Sequence, residues 1–265
     1  MDWQQPLIAF GLSLLIVLLA RWRLWLSLSG AVGALFIGTL IMGFGGWLWG
    51  VLLGVFFVSS SLLSKYKAVE KRESAEKFDK GHERDIMQVF ANGGIGALLA
   101  VCHAIWPSPL WFSAYIGVIA SVNADTWATE LGTLSKQPPR LITTGKLVEV
   151  GTSGGVTVYG TAISLAGGVL IGAVAALWLR SGIVTLLLMG GVGGLAGSLF
   201  DSVLGATVQL LYWDDVRQKD TEKRFKYGRE LIRLRGWSWM TNEAVNLIAS
   251  LAGGIVAVLI ASSGQ

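Results

Sequence analysis

Eight predominantly apolar runs, at 7–20, 30–44, 47–63, 92–105, 110–122, 156–178, 183–211 and 244–260, fill most of the chain and decide what solvent it folds in. A hydrocarbon core of roughly 30 Å is crossed by about 20 helical residues, or slightly fewer where polar flanks complete the span. Inside that core each backbone N–H and C=O must be satisfied within the protein, which for separate runs of this kind leaves the α-helix. With 53% hydrophobic and 14% charged residues, the 265-residue chain lies outside the range of soluble domains. The expected fold class is therefore all-α: a polytopic, Gly-rich integral membrane bundle of eight transmembrane helices. It is expected to be one transmembrane domain over 1–265, with cytoplasmic loops at 64–91, 123–155 and 212–243. The seventh run is overlong and Gly-rich, which suggests a broken, tilted or partly re-entrant span.

The first run is read as a span and not as a cleaved leader, because Met1 to Pro6 contains no Lys or Arg and no Ala-x-Ala site follows. Orientation follows from Lys and Arg, which are retained on the cytoplasmic side of short loops. Lys65, Lys67, Lys71, Arg72, Lys77, Lys80 and Arg84 follow the third run, and Arg217, Lys219, Lys223, Arg224, Lys226, Arg229, Arg233 and Arg235 follow the seventh. With eight spans these loops share a side with Arg21, Arg23, Arg140 and Lys146, so both termini are expected on the non-cytoplasmic side of a cell inner or thylakoid membrane. Eleven of the twelve tryptophans fall near span ends, where an amphipathic ring prefers the headgroup zone; Trp127 sits inside a polar motif instead. The 35 glycines are read as close helix packing. The single Cys102 excludes an internal disulfide and a cysteine-based zinc site, and no basic, aromatic-interleaved surface marks a nucleic-acid partner.

Four polar segments interrupt this apolar background. The first runs from Glu76 through Lys77, Asp79, Lys80, Arg84 and Asp85 to Asn92. Its earlier part, with Glu73–Lys77 and Glu76–Lys80 at i,i+4, also fits a solvated helix face. Its later part carries polar side chains into a span, where they need partners. The second segment contains Asn123, Asp125, Thr126 and Glu130. These are hard oxygen ligands of the kind that suit Mg²⁺, which takes one or two carboxylates together with substrate phosphates; a solvent-exposed helix end is the alternative. The third runs from Arg140 and Lys146 through Glu149 to Thr152, Ser153, Gly154, Gly155 and Thr157. Small residues with free N–H groups at a helix start favour phosphate, and nearby Lys and Arg side chains add charge and bidentate hydrogen bonds. The fourth places Asp201 and Gln209 in and after the seventh run. An aspartate in a span is a functional candidate unless it bonds another helix.

These segments resemble a known family of membrane proteins that includes transmembrane protein 19 and phytyl-phosphate kinase, through 76–94, 123–132, 139–157, 197–209 and 235–246, the last with Asn242 and Asn246. The similarity extends at a distance to polyprenol kinases and phosphatidate cytidylyltransferases. The resemblance implies a CTP-dependent phosphotransferase that converts phytyl (prenyl) monophosphate to the diphosphate in phytol salvage for tocopherol or prenylquinone synthesis. Where some relatives carry cysteine pairs after the seventh span, this chain has Asp214, Asp215 and a run of cations, so a metal-stabilised lobe is not expected there.

On this reading Mg²⁺ is held by Asp125, with Glu130 and Asp79 or Asp201 assisting, and these carboxylates together with Lys146 form the catalytic set. Donor phosphates rest on Lys146, Thr152, Ser153, Gly154 and Gly155, and the acceptor monophosphate on Arg84, Lys80 and Arg140. Lys77, Asp85, Asn92, Asn123, Thr126, Glu149, Thr157, Gln209, Asn242 and Asn246 complete the expected binding set. The partners are the lipid phosphate, a nucleoside triphosphate and membrane lipid, with monomer or homodimer left open. Cytidylyl transfer, kinase action on the free alcohol, and transport of a lipid or anion are the alternative functions.

Overall fold

The computed structural model describes residues 4–67 and 83–263. Among these residues eight long helices are present: α1 (Gln4–Trp22), α2 (Leu28–Leu40, extended by a π-turn at Ile41–Gly45), α3 (Trp47–Lys65), α4 (Ile86–Ile105), α5 (Pro109–Gly132), α6 (Val158–Leu179), α7 (Ile183–Thr207) and α8 (Asn242–Ser263). The fold is an all-α integral membrane bundle, and seven of these helices are long and apolar enough to cross a membrane. The exception is α5, which lies at the centre of the bundle. Residues Tyr115 to Ala124 are all buried by neighbouring helices, so a polar residue such as Asn123 can be satisfied there by protein.

Successive helices alternate in direction. On α8, Ala249 meets Ser121 of α5 while Gly253 and Ala257 meet Gly117, so α5 and α8 are antiparallel. Gly167 and Gly160 of α6 meet Ala124 and Gly132 of α5 in the same opposed sense. Helix α7 runs parallel to α5, with Gly193 beside Gly117 and Gly197 beside Ser121. Several contacts require glycine; among them, a β-carbon on Gly117 would collide with the carbonyl of Gly253, and one on Gly168 with the carbonyl of Gly190. Backbones this close give van der Waals contact where the hydrophobic effect offers no drive between helices.

The overlong seventh run proves to be a continuous helix that ends at Thr207, after which the chain leaves as a strand. Strands β3 (Leu211–Asp214), β4 (Lys219–Thr221) and β7 (Ile232–Arg235) form an antiparallel sheet in the order β4-β3-β7, and β5 (Phe225–Lys226) pairs with β6 (Arg229–Glu230). This small lobe is organised around a buried ion pair. Asp214, 1% exposed, accepts from Lys226 at 2.6 Å, from Tyr227, and from the backbone N–H groups of Val216 and Arg217. A second pair, β1 (Arg140–Leu141) with β2 (Gly155–Val156), ties down the loop between α5 and α6. With directions alternating, the α1–α2, α3–α4, α5–α6 and α7–α8 connections share one end of the bundle, and both chain ends lie at the other.

Candidate active site

A cavity of about 380 Å³ opens at the end of the bundle that carries these connections. It falls within the roughly 300–1,000 Å³ usual for small-molecule sites. Helices α4, α6 and α8 begin there, so three positive dipole ends point toward it. Each start is fixed locally. Asp85 caps α4 through a capping box with Gln88, Thr157 caps α6 by accepting from Gly160 N–H, and Thr241 Oγ1 accepts from Ala244 N–H at the head of α8.

Of the expected site residues, Arg84, Asn92, Asp125, Thr126, Glu130, Thr152, Ser153, Gly154, Gly155, Thr157, Asp201, Asn242 and Asn246 line this cavity. Arg84 is held firmly. Its N–H donates to Trp25 O and its carbonyl accepts from Ser27 N–H, so the residue is bolted to the α1–α2 connection. Its guanidinium donates to Ser61 at 2.6 Å and sits over the Phe57 ring. Glu130 accepts from Ser64 at 2.6 Å beside Arg84. Deeper in, Ser198 donates weakly to Asp125 at 3.4 Å, and Asp201 and Glu222 line the same cavity.

Other expected residues do not line the cavity. Lys146 and Arg140 are exposed, because the chain turns back between Leu141 and Lys146, with Gly145 at φ +69°, and carries both outward. Arg140 donates to Gly145 O within that turn. Glu149 pairs instead with Lys219 of the lobe at 3.3 Å. Asn123 is a structural pin: its amide donates to Gly167 O at 2.7 Å and accepts from Ser59, which in turn accepts from Trp127. Asp85 serves as a helix cap. Gln209, 2% exposed, stands behind the glycine loop, accepting from Ser153 and donating to Glu222 at 2.9 Å. Lys77, Asp79 and Lys80 lie outside the described residues. Among the described residues, no group of three or more His, Cys, Asp or Glu is gathered as a metal cage, so Asp125, Glu130 and Asp201 do not form one three-carboxylate centre.

Sequence reasoning passed over Ser164, Ser198, Glu222 and Glu243, which also line the cavity. Thr157, Thr161 and Ser164 recur at i, i+4 and i+7 along one face of α6, a polar stripe in an apolar span that could have revealed Ser164. Glu222 was hidden among the lobe's cations. Arg84 is the one Lys or Arg among the described lining residues, against five carboxylates.

The model of the integral membrane protein family DUF92 matches residues 11–254. An uncharacterized membrane protein of Methanocaldococcus jannaschii is 35% identical over 98% of this chain and 97% of its own length. Protein PGR of Arabidopsis thaliana is 34% identical over 91% of this chain and 90% of its own. Protein VTE6, chloroplastic, of the same plant is 26% identical over 88% and 65%. No solved structure matches the chain.

Proposed function

The chain belongs to the DUF92 family of integral membrane proteins, and on that premise we propose that it is a kinase transferring a phosphoryl group from a nucleoside triphosphate, CTP by the motif resemblance, to a prenyl monophosphate such as phytyl phosphate. The observation that carries this reading is that a glycine loop, a fixed arginine and intramembrane carboxylates line one cavity at the end of the spans. A lipid phosphate can lie there with its tail among the helices while a nucleotide enters from water.

The acceptor is already an anion, so no strong general base is required. One of its phosphate oxygens attacks the γ-phosphorus of the donor; the new P–O bond forms as the bond to the β–γ bridging oxygen breaks, and a nucleoside diphosphate leaves. Catalysis of this kind is mainly positioning and charge neutralisation. Arg84, which lines the cavity, would hold the acceptor phosphate. In the 152–155 loop the Thr152 and Gly155 N–H groups are bonded within the loop, and those of Ser153 and Gly154 would serve the donor phosphates. Among the described lining residues one cation stands with five carboxylates, and Mg²⁺ would supply positive charge for the phosphates there. Oxygen donors at Asp125 and Asp201 fit that ion, and Asp201 Oδ2 is a buried carboxylate oxygen with no hydrogen-bond partner. The catalytic end is assigned to the cytoplasm on the distribution of Lys and Arg.

Purified protein incubated with Mg²⁺, phytyl or geranylgeranyl monophosphate and each nucleoside triphosphate, with the lipid followed by mass, tests the reading. A diphosphate lipid together with a nucleoside diphosphate is the expected result. Released pyrophosphate would identify cytidylyl transfer instead, and no product from folded protein would overturn the kinase.

A further inference from the structure

We propose that the protein carries a resident divalent-cation site in the membrane-embedded floor of the cavity, formed by Asp125, Asp201, Ser164 and Ser198 and occupied before any nucleotide binds. This deepens the kinase reading by locating its metal, but it rests on helix register and buried polar atoms, and it is tested without substrate.

The register sets Ser164 level with Ser198, and Asp125 level with Asp201 about one helical turn nearer the cavity mouth. Gly168 of α6 lies against Gly190 and Gly194 of α7, so one turn toward the cavity places Ser164 level with Ser198. On α5, Ser121 packs against Gly197, and Asp125 follows one turn on, within hydrogen-bond reach of Ser198. Asp201 is three residues beyond Ser198 on the same face of α7 and lines the same cavity. Ser164 lies about 9 Å along α6 from its first residue, well below the helix ends.

Two observations separate this floor from a mere group of acids. Ser164 is 1% exposed, its hydroxyl has no hydrogen-bond partner, and it lines the cavity. Asp201 Oδ2 is likewise buried without a partner, in the cavity that Asp125 also lines. An unpaired hydroxyl and an unpaired carboxylate oxygen about one turn apart in the same cavity are both costly unless a ligand completes them. The lining cation, Arg84, is bonded to Ser61 of α3, away from Ser164. The donor set is all oxygen, with two carboxylates to match a double positive charge, which selects a hard divalent ion of the Mg²⁺ and Mn²⁺ class. Glu130, committed to Ser64 and beside Arg84, stays outside the inner ligand set.

The test is a Mn²⁺ titration of the full chain in nanodiscs, free of nucleotide and lipid phosphate, read by electron paramagnetic resonance with Mg²⁺ as competitor. The expected result is a single saturable Mn²⁺ site displaced by Mg²⁺ and not by Na⁺ or K⁺. Asp201→Asn and Ser164→Ala should each weaken it about 10- to 100-fold, while Glu130→Gln and the surface control Glu83→Gln should leave ion count and affinity unchanged. Ser164→Ala removes only a hydroxyl, so it keeps the test decisive if Asp201→Asn fails to fold. No saturable Mn²⁺ binding, displacement by Na⁺, or an affinity indifferent to Ser164→Ala would each overturn the site. Saturable binding in a protein that forms no lipid diphosphate would leave the site standing and remove the kinase reading.

Discussion

Ser153 of the glycine loop donates its hydroxyl to the buried amide oxygen of Gln209, just beyond the end of α7. The other end of that amide donates to Glu222, which reaches the cavity from the lobe, so one side chain ties three separate segments together. Gln209 lies behind the cavity wall and is a positioning residue. Gln209→Ala should leave the bundle folded and lower kcat/KM for the nucleotide about 10- to 100-fold, as expected when a phosphate loop is displaced by about 1 Å. The KM of the lipid phosphate should change little. Steady-state kinetics with each substrate varied in turn check this, and an equal loss for both substrates would argue for general destabilisation instead.

Asn123 should behave in the opposite manner. Its amide bridges Ser59 of α3 and Gly167 of α6 at full burial, so Asn123→Leu removes both bonds, although Ser59 keeps Phe56 O and Trp127 as partners. The expected cost is about 1–3 kcal/mol, read as a lower unfolding temperature in detergent. Substrate KM values in the surviving folded protein should stay near those of the parent. A large KM change without loss of stability would restore Asn123 to the binding set.

This contrast shows where the sequence was legible. The long apolar runs revealed the spans because lipid selects composition directly, and Asp201 stood out because a carboxylate in a span needs a reason. The central helix α5 was harder to read, since protein and not lipid surrounds it, and its Asn123 looks from sequence like a ligand as much as a pin. Lys146 and Arg140 carried the right charge for phosphate, but the turn that directs them outward depends on pairing between Arg140–Leu141 and Gly155–Val156 across the loop. Gln209 looked like a wall residue because register alone cannot distinguish a side chain facing the cavity from one directly behind it. The lobe was invisible, because its nucleus is a buried Asp214–Lys226 pair among many surface charges.

That pair makes the lobe acid-sensitive. Burial alone would raise the Asp214 carboxyl, but hydrogen bonds from Lys226, the backbone of Arg217 and Tyr227, with the Lys226 charge, outweigh it and hold the group below the ordinary aspartate range. A carboxyl depressed in the fold contributes stability above its unfolded value of about 3.9, and that stability is lost as pH falls through the folded value. Amide protection factors over residues 211–235, corrected for the intrinsic exchange rate, should therefore hold at neutral pH and fall only below about pH 4. Asp214→Asn should lose protection at neutral pH by up to about 3 kcal/mol, since it leaves Lys226 without its charge partner, and approach the parent in acid. Unchanged exchange in that variant would show that the lobe is held by other contacts.

Membrane sidedness can be tested with two exposed loop positions at opposite ends of the bundle. Lys146 lies in the α5–α6 connection at the cavity end, and Ser181 lies in the α6–α7 connection at the other. Most loop cations lie at the cavity end, whereas Arg180 stands beside Ser181, so the proposed orientation has the cavity facing the cytoplasm. The proposed kinase needs the same arrangement, because nucleoside triphosphates are supplied from the cytoplasm. In a Cys102→Ser background, a membrane-impermeant maleimide applied to intact spheroplasts should label Ser181→Cys and spare Lys146→Cys until the membrane is opened. The reverse pattern would place the cavity on the outer side and cut it off from its proposed phosphoryl donor, turning the intramembrane carboxylates into a question of transport.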